Sequence, residues 1–559
     1  MTSSKFSSLS LVSIIKQFSK LPENITLTGT SLTIPEIIAV ARNNTEVKFT
    51  EDKNILAKIE ASYDHMMKDV VKGVPVYGTN TGYGARASHV LVYGSQSERI
   101  ELARKISEGI VHVDVSVGPI FEKEVVRAAM LIRINMLMQG VSAVKIEDLD
   151  IYRKMLNKQI TPLVNQYGGI GASGDLAHNG RILSAARQLK GILAWDKNDK
   201  IGEARKLLRK EKIPILKLRP KAGLGFVNGD NFSTAMACLL AIDTLELMLI
   251  AIVTGAIAIE VLKGSDRSFH PMLAKVRPHP GQKEVADVYR YLLKGSKLVY
   301  QEMDGHKRRP EGVKVQDGYS LRAIAQYHGV SVEKLKSAFE VIDINANSVS
   351  DNPLWVTPEF VNKGEKPWQW VSGGNFLAMH MAEIMDSLRK TLTHIVKLND
   401  RHLAKLVNPN ENNGLSPNLS DKAALTHCSF KGVQIQSGMF EVYSSLLSIP
   451  ISTFFGTHEE GNQDITSHAL TSGILGLENL RLARYSTAQN LLAVTQAVDL
   501  RGGAEKLSPH TQPLYYYVRK RVEFVKKERP LNREIEMLYE SIKNGELLDI
   551  VTKKVFKDF

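Results

Sequence analysis

The sequence has 559 residues, of which 43% are hydrophobic and 23% charged, and its formal net charge is +13. A chain of this length is too long to fold around a single hydrophobic core of ordinary size, and its composition is that of a soluble globular protein. The two cysteines, Cys238 and Cys428, exclude a fold held by disulfides, and dispersed basic residues without an aromatic-interleaved stripe argue against a nucleic-acid partner.

The first part of the chain predicts a mixed α and β region. Residues 1–20 lack the compact apolar core and cleavage site of a signal peptide, so a cytoplasmic location is expected, in keeping with the low cysteine content. Short strand-like pieces precede a helical pattern from Glu51 to Val71, which runs into the glycine-rich loop GVPVYGTNTGYGARAS. Helical periodicity resumes over Glu98–Gln139, interrupted by VHVDVSVGPI, whose alternating residues favour an extended loop.

A second glycine-rich stretch, NQYGGIGASGDLAHNGRIL, runs from Asn165 to Leu183. Glycine is favoured where the backbone tolerates no Cβ, so this composition predicts a tightly bent segment. The order of residues fits neither a P-loop nor a GxGxxG turn after a strand, and a plain loop is the simplest reading of the glycines alone. The following AWDKNDKIG predicts a short hairpin.

Long segments of helical periodicity dominate the rest of the chain: Phe232–Lys263, Val285–Gln301, Gly374–Val396, Lys422–Phe454 and Ile465–Leu500. They exceed the roughly 10–14 residues of an average helix and predict a bundle, whose wide apolar faces commonly associate further. In the most apolar stretch, the uncharged run between Glu246 and Glu260 is shorter than the roughly 20 residues that span a bilayer. A helix buried on all sides is therefore expected, without a membrane partner.

These patterns together predict a mainly α fold. A long central helix bundle would be joined to a smaller N-terminal α+β region that carries the second glycine-rich stretch. The best boundary signals, near residue 202 and near residues 507–513, divide the chain into an N-terminal region (1–201), a central bundle (202–507) and a C-terminal helical tail (508–559) that packs on the bundle.

The Ala-Ser-Gly-Asp-Leu run at 172–176 is accompanied by other motifs in a family order. It resembles the signature of the histidine, phenylalanine and tyrosine ammonia-lyases, and so, in sequence order, do VYGTNTGYG (76–84), GLGFVNGDN (223–231), VQDGYSLRAIAQ (315–326), NSVSDNPL (347–354), SGGNF (372–376) and EEGNQD (459–464). The resemblance covers nearly the whole chain. NNGLSPNLS (412–420) and QAVDLR (496–501) make it closest to the phenylalanine and tyrosine enzymes.

The resemblance implies a cofactor made from the chain itself and no metal. Ala172-Ser173-Gly174 would cyclise with loss of two waters into the electrophile 4-methylidene-imidazole-5-one (MIO). Tyr77 would be the base that removes the β-proton, in which case its site must lower its pKa from about 10. Asn228 would donate to the carbonyl oxygen of the cyclised group, and Tyr319 would orient the reacting substrate or pass protons.

Further motif residues are implied to bind substrate. Arg322 matches the family's clamp for the substrate carboxylate, a role that suits the planar guanidinium fork. Gln316 would hydrogen-bond nearby, and Gln316, Tyr319 and Arg322 recur every three residues, as on one side of a helical turn. Asn352 and Phe376 match positions that line the pocket.

The resemblance also bears on the substrate. Glu459 and Gln463 lie four residues apart, which predicts a shared helix face. The phenylalanine and tyrosine enzymes carry glutamine at the position of Gln463 and histidine enzymes carry glutamate, while Glu459 favours a lyase over an aminomutase. The expected reaction converts phenylalanine or tyrosine into trans-cinnamate or p-coumarate plus ammonia, in a homotetramer whose active sites combine residues of three chains.

Three alternatives stay open: a histidine ammonia-lyase, an aromatic amino acid 2,3-aminomutase, and a non-catalytic amino-acid-binding relative. The chain departs from the family at His178-Asn179, where Pro-Leu is usual. The family's selectivity position falls on Gly109-Ile110 in an ungapped comparison and near His112 in a shifted one. Glycine would leave a roomy pocket, whereas His112 could bind a phenol.

Overall fold

The structure, a computed structural model, describes residues 6–303, 309, 314–423, 426–454 and 456–559. Its helices confirm the predicted mainly α class. Those of the N-terminal part are α1 (Leu11–Phe18), α2 (Ile34–Asn43), α3 (Lys53–Lys72), α4 (Gln96–Gly109), α5 (Lys123–Leu137), α6 (Ile146–Asn157), α7 (Leu176–Ala186) and α8 (Ala204–Lys210). The later ones are α9 (Ala222–Val227), α10 (Asn231–Val261), α11 (Pro271–Val276), α12 (Pro280–Leu293), α13 (Tyr319–Arg322), α14 (Ile324–Ala346), α15 (Met379–Val407), α16 (Lys431–Leu447), α17 (Ala469–Leu500), α18 (Gln512–Arg519), α19 (Asn532–Lys543) and α20 (Glu546–Ile550).

The strands are short and most of them precede the bundle. They are β1 (Asn24–Leu27), β2 (Glu46–Phe49), β3 (Val117–Ile120), β4 (Thr161–Pro162), β5 (Asn165–Tyr167), β6 (Leu193–Trp195), β7 (Ile201–Glu203), β8 (Leu354–Trp355) and β9 (Trp370–Val371). β1 and β2 are parallel with Asn24 opposite Glu46, and β3–β5, β4–β6–β7 and β8–β9 are antiparallel. The β6–β7 pair confirms the predicted hairpin.

Helix α10 forms the axis of the bundle. All of its residues except Glu246 are buried, and α5, α14, α15 and α17 pack around it. Apolar residues occur all round this helix, so burial on every side is the arrangement that removes them from water. In the described residues, Ala222–Val261 is long and apolar enough to cross a membrane, and 94% of its most apolar window is buried inside the chain.

The observed ends of the long helices agree with the predicted ends for the most buried helices and differ for the others. α10 and α17 lie close to their predicted ranges. α12 ends at Leu293 because Gly295 adopts a φ of 80°, a conformation that terminates helices. α15 begins later than predicted and extends to Val407, while α16 is shorter than predicted at both ends. Residues 424–425 of the range predicted for α16 lie outside the described residues.

The predicted boundary near residue 202 falls inside a sheet. Gly202 belongs to β7 and pairs with Ala194 of β6, so it does not lie in a linker. At the second predicted boundary, the Ser508 N–H and the Thr511 hydroxyl donate to the two carboxylate oxygens of Glu260 at 2.6 and 2.7 Å. These bonds connect the C-terminal segment to α10 through a carboxyl whose pKa burial raises to about 7. The division into three regions stays a prediction.

Candidate active site

The Ala-Ser-Gly run forms a tight turn before α7. The positions of Gly171, just before the run, and Gly174, at its end, accommodate only glycine. Gly174 has a φ of 73°, and a Cβ there would lie 2.5 Å from the backbone of Gly229. Gly171 has a φ of 68°, and a Cβ there would lie 2.1 Å from the Ser467 hydroxyl. Both the left-handed backbone and the close approach exclude a side chain. The turn is therefore enclosed from two sides, with Ser173 between them.

Two amide side chains reach Ser173. Asn228 Nδ2 donates to the Ser173 carbonyl oxygen at 2.9 Å, and Gln463 Nε2 donates to the Ser173 hydroxyl at 3.1 Å. A ring closed between Gly174 and Ala172 keeps the Ser173 carbonyl. The Asn228 amide is thus aimed at an oxygen on which negative charge can develop. The residues present fit a group formed from the triad.

Tyr77 belongs to a loop shaped by hydrogen bonds within it. The Val76 N–H donates to Asn80 Oδ1 at 2.7 Å, and the Gly84 N–H donates to the Tyr77 hydroxyl at 2.9 Å. The Glu459 carboxylate lies directly against Gly84. A Cβ placed on Gly84 would be only 1.6 Å from Glu459 Oε1, so this position has no room for a side chain. The phenol of Tyr77 and the carboxylate of Glu459 therefore share one glycine as a neighbour.

The environment of Tyr77 acts against its ionisation. Burial raises the pKa of Tyr77, and the Glu459 carboxylate raises it further, while the Gly84 N–H acts in the opposite direction. The prediction that the site lowers the pKa of Tyr77 is wrong for the single chain. A nearby cation is the physical feature that would reverse the shift.

Glu459 and Gln463 meet, but they do not share a helix face. Glu459–Gly461 is a 3₁₀ turn in which Glu460 and Gly461 have positive φ values, so the chain doubles back and His458 pairs with Gln463. Gln463 Nε2 donates to Glu459 Oε2 at 3.0 Å. The two side chains are therefore adjacent through a reversal of the chain.

Asn352 and Phe376 belong to segments that border the triad. Asn352 is buried, and its Oδ1 accepts the Gly373 N–H at 2.9 Å. Phe376 is half-buried, two residues before Ala378, whose N–H donates to the Gly171 carbonyl at 3.2 Å. The backbone of this segment thus holds Phe376 near the Ala-Ser-Gly turn, and the Asn352 side chain is tied to the same segment at Gly373.

Gln316, Tyr319 and Arg322 lie at the opposite end of the bundle. The Ser265 N–H, just beyond the end of α10, donates to Asp317 at 2.8 Å. Asn228 lies just before the start of α10, whose 31 residues extend about 45 Å. The single chain therefore does not bring these three residues to Ser173.

Helix α15 also separates the Ala-Ser-Gly turn from the segment that carries Tyr319 and Arg322. α15 begins beside the Gly171 carbonyl, and near its other end His402 Nε2 donates to the Ser320 carbonyl at 2.9 Å. The helical turn predicted for the three residues contains Tyr319 and Arg322 only, since α13 starts after Gln316. Tyr319 is 74% exposed, and the Arg322 guanidinium lies 4.4 Å from the centre of its ring. This surface is open to another molecule.

The residues of the expected selectivity position differ in exposure. Gly109, the last residue of α4, is exposed, and a Cβ there would meet no atom of the described part of the chain within 4 Å. Ile110 is buried against Gly223. His112 is exposed, its Nδ1 donates to the Gly109 carbonyl at 2.9 Å, and its ring lies 6.3 Å from that of Tyr83. Ile110 belongs to the core, whereas Gly109 and His112 are exposed.

Comparison with known proteins decides the family. The family model for aromatic amino acid lyases matches residues 32–520. The chain belongs to the aromatic amino acid lyase family. This lyase is 34% identical over 504 residues to a phenylalanine ammonia-lyase of Nostoc punctiforme, an alignment that covers 88% of this chain and 86% of the relative.

Other relatives of the lyase carry other names. It is 31% identical to a histidine ammonia-lyase of Myxococcus xanthus, with 94% and 98% of the two chains covered. Its fold matches the crystal structure of a tyrosine aminomutase from Streptomyces globisporus with a TM-score of 0.85 at 27% identity, covering 96% and 99%. Carbon–nitrogen lyase chemistry follows from the family, whereas the substrate does not.

The lyase replaces the usual Pro-Leu with two buried polar residues. The His178 ring lies between Phe121 and Phe232, with ring centres 5.7 and 5.1 Å away, and Nε2 donates to the Gln166 carbonyl at 3.1 Å. Burial lowers the pKa of His178 to about 4, so the ring is neutral at neutral pH. Asn179 points instead at the turn that carries Asn228.

One buried residue of the lyase site was not identified from the motifs. The Arg133 guanidinium donates to the carbonyl oxygens of Gly225, Ser350 and Asn228 at 2.9, 2.8 and 3.2 Å. It therefore supports the backbone that presents the Asn228 amide. Its signal in the sequence is an arginine within the run MLIRINML, in which every residue except Arg133 and Asn135 is apolar. In the described residues, no group of three His, Cys, Asp or Glu side chains could hold a metal ion.

Proposed function

We propose that this lyase eliminates ammonia from phenylalanine or tyrosine to give trans-cinnamate or p-coumarate. The observation that carries the proposal is the pair of amides on Ser173: Asn228 at its carbonyl and Gln463 at its hydroxyl. A neutral amide at position 463 suits an apolar aromatic ring better than an imidazole, which would gain from a carboxylate. The similarity to a phenylalanine ammonia-lyase supports the same substrate class.

The chain's own residues supply distinct parts of the reaction. The MIO group, once formed from Ala172-Ser173-Gly174, supplies an electrophilic methylene for the substrate amine. Asn228 stabilises negative charge on the Ser173 carbonyl oxygen, and Tyr77 takes the β-proton. Arg322 holds the substrate carboxylate through a two-pronged ion pair, and Tyr319 beside it orients the substrate.

Because Arg322 and Tyr319 lie at the far end of the bundle, we infer that another copy of the chain provides them in a homotetramer. An exposed apolar stripe on α16 supports such assembly: Ile435, Met439, Val442 and Leu446 recur every three or four residues and are all more than half exposed. The incoming Arg322 would also bring a cation toward Tyr77, whose pKa burial and the Glu459 carboxylate raise in the single chain.

We also propose a reducing, cytoplasmic setting. Cys238 is buried in α10 and Cys428 is exposed, and both are free thiols. An exposed free thiol is stable where the surroundings keep it reduced.

Replacing Tyr77 by phenylalanine should lower kcat/KM by roughly 10²–10⁴-fold, the usual contribution of a general base. The base acts as phenolate, and the fraction of ionised phenol grows with pH, so activity of the unaltered lyase should increase with pH until Tyr77 is fully ionised. That rise should disappear in Tyr77→Phe. The measurement is a pH–rate profile of both proteins.

Tyr83→Phe is the matched control for that prediction. Its hydroxyl donates to the Ile106 carbonyl at 3.0 Å from a half-buried position, so its removal should cost stability with little effect on turnover. Near-normal rates for Tyr77→Phe would show that another group is the base.

The substrate is tested by offering phenylalanine, tyrosine, histidine and tryptophan separately and following the ultraviolet absorbance of the conjugated product. Phenylalanine or tyrosine should react fastest, and Gln463→Glu should reduce that preference relative to histidine. Equal inactivity toward all four would overturn the proposal. Faster turnover of histidine would identify a histidine ammonia-lyase, and accumulation of a β-amino acid would identify an aminomutase.

A further inference from the structure

We propose that Asn179 and Asn231 are positioning residues that hold the Asn228 turn against the Ala-Ser-Gly triad and so promote its cyclisation. The inference deepens the proposed function and rests on it. It assigns a role to the position at which this chain departs from the usual Pro-Leu of the family. On this proposal, hydrogen bonds from Asn179 support the triad in place of the usual Pro-Leu pair.

The two asparagines form a reciprocal amide pair. Asn179 Nδ2 donates to Asn231 Oδ1 at 2.9 Å, and Asn231 Nδ2 donates to Asn179 Oδ1 at 2.9 Å. Asn179 is 2% exposed and Asn231 is fully buried. Since α7 carries one residue and α10 begins with the other, the pair joins the helix that follows the triad to the helix that follows Asn228.

Backbone carbonyls around the pair determine which way each amide faces. Asn179 Nδ2 also lies within hydrogen-bond distance of the carbonyl oxygens of Val227 and Gly229, at 3.2 and 3.1 Å. Asn231 Nδ2 donates to the Ala129 carbonyl at 3.0 Å. All three surrounding groups accept, so each amide must turn its NH₂ toward them, and only the reciprocal arrangement satisfies both side chains.

The pair acts on the triad through Gly229. The Gly229 carbonyl accepts the Asp175 N–H at 2.8 Å as well as the Asn179 amide, and the Gly229 backbone lies against Gly174. The residue before Gly229 is Asn228, whose amide reaches Ser173. Fixing the turn at residues 227–231 therefore has two effects. It holds the Gly229 backbone against Gly174, and it keeps the Asn228 amide in position to donate to Ser173.

Breaking the pair should slow cyclisation because its members are buried. In Asn179→Leu, which carries the residue usual in the family, Asn231 loses its partner and the Val227 carbonyl loses a donor. Asn179→Asp keeps the size and still accepts from Asn231, but it cannot donate to the two carbonyls and places negative charge beside them. An unsatisfied buried group favours displacement of the turn, which carries Asn228 away from Ser173.

The test measures water loss by intact mass in the full-length protein, after expression and during later incubation. We expect the wild-type chain to lose two waters and the rate of this loss to fall at least tenfold in Asn179→Leu and Asn179→Asp. The matched control is Asn490→Leu, which breaks the buried pair of Asn490 and Asn399 on α17 and α15. It should lower the thermal unfolding midpoint while leaving the rate of water loss within twofold of wild type.

Wild-type rates of water loss in folded Asn179 variants would overturn the positioning role and leave the proposed function intact. Equal slowing in Asn490→Leu would overturn it too, since the effect would then be general destabilisation. Aggregation of every Asn179 variant beside a folded control would reduce the pair to a structural role. A wild-type chain that loses no water would overturn the proposed function together with this inference.

Discussion

Ser173→Ala is expected to abolish turnover, with a fall in kcat of more than about 10⁴-fold, above the range for loss of a general base. The serine hydroxyl is the group that leaves as the second water when the triad cyclises. Alanine has no such group, so the electrophile cannot form. The rest of the turn should persist, because Gly171 and Gly174 determine its backbone and Asn228 binds the carbonyl of residue 173 rather than its side chain.

Intact mass separates this chemical loss from misfolding. The Ser173→Ala protein should retain both waters and unfold near the wild-type temperature, whereas the wild-type chain should lack them. Ser486→Ala is a suitable control, since Ser486 is a buried serine of α17 whose hydroxyl finds no hydrogen-bond partner among the residues that the structure describes. It should cyclise and turn over normally. Full activity in Ser173→Ala would contradict the mechanism.

Two inactive variants, Ser173→Ala and Arg322→Ala, should regain activity when they are expressed together. Ser173 and Arg322 lie near opposite ends of α10, about 45 Å apart along that helix, so one chain cannot bring them to one substrate. A mixed assembly contains sites with an intact triad from one chain and an intact arginine from another. Random mixing should restore roughly a quarter of wild-type activity.

A same-end pair provides the control for complementation. Ser173→Ala and Asn228→Ala alter two residues that touch within one chain, so every mixed site lacks one of them. That mixture should stay inactive. Two affinity tags on the two chains would establish that mixed assemblies form. Inactivity of the first mixture despite mixed assembly, or activity of the second, would contradict a site shared between chains.

Local sequence features allowed most of the fold to be predicted. α10 is apolar on every face and was located almost to its ends, because burial on all sides leaves a continuous hydrophobic run. The ends of α12 and α16 were predicted less well. They depend on single backbone conformations such as that of Gly295, which periodicity over a window does not detect.

The site was predictable as a set of residues and less so as an arrangement. The spacing of Glu459 and Gln463 suggested a helix, although the two side chains meet because Glu460 and Gly461 reverse the chain. The active site is expected to lower the pKa of Tyr77, whereas in the single chain burial and the Glu459 carboxylate raise it. Neither burial nor the sign of a neighbouring charge is contained in the tyrosine motif.

The sequence by itself determined the mainly α class, the family resemblance and the identity of the triad, because each depends on residues that are contiguous or regularly spaced. Only the tertiary structure decided which motifs meet. It places Asn228 and Gln463 on Ser173, joins Asn179 to Asn231, and separates Arg322 from all of them. The reason is the length of α10 and α15. Each is a continuous helix, so residues that pack at one end of it cannot reach residues that pack at the other end.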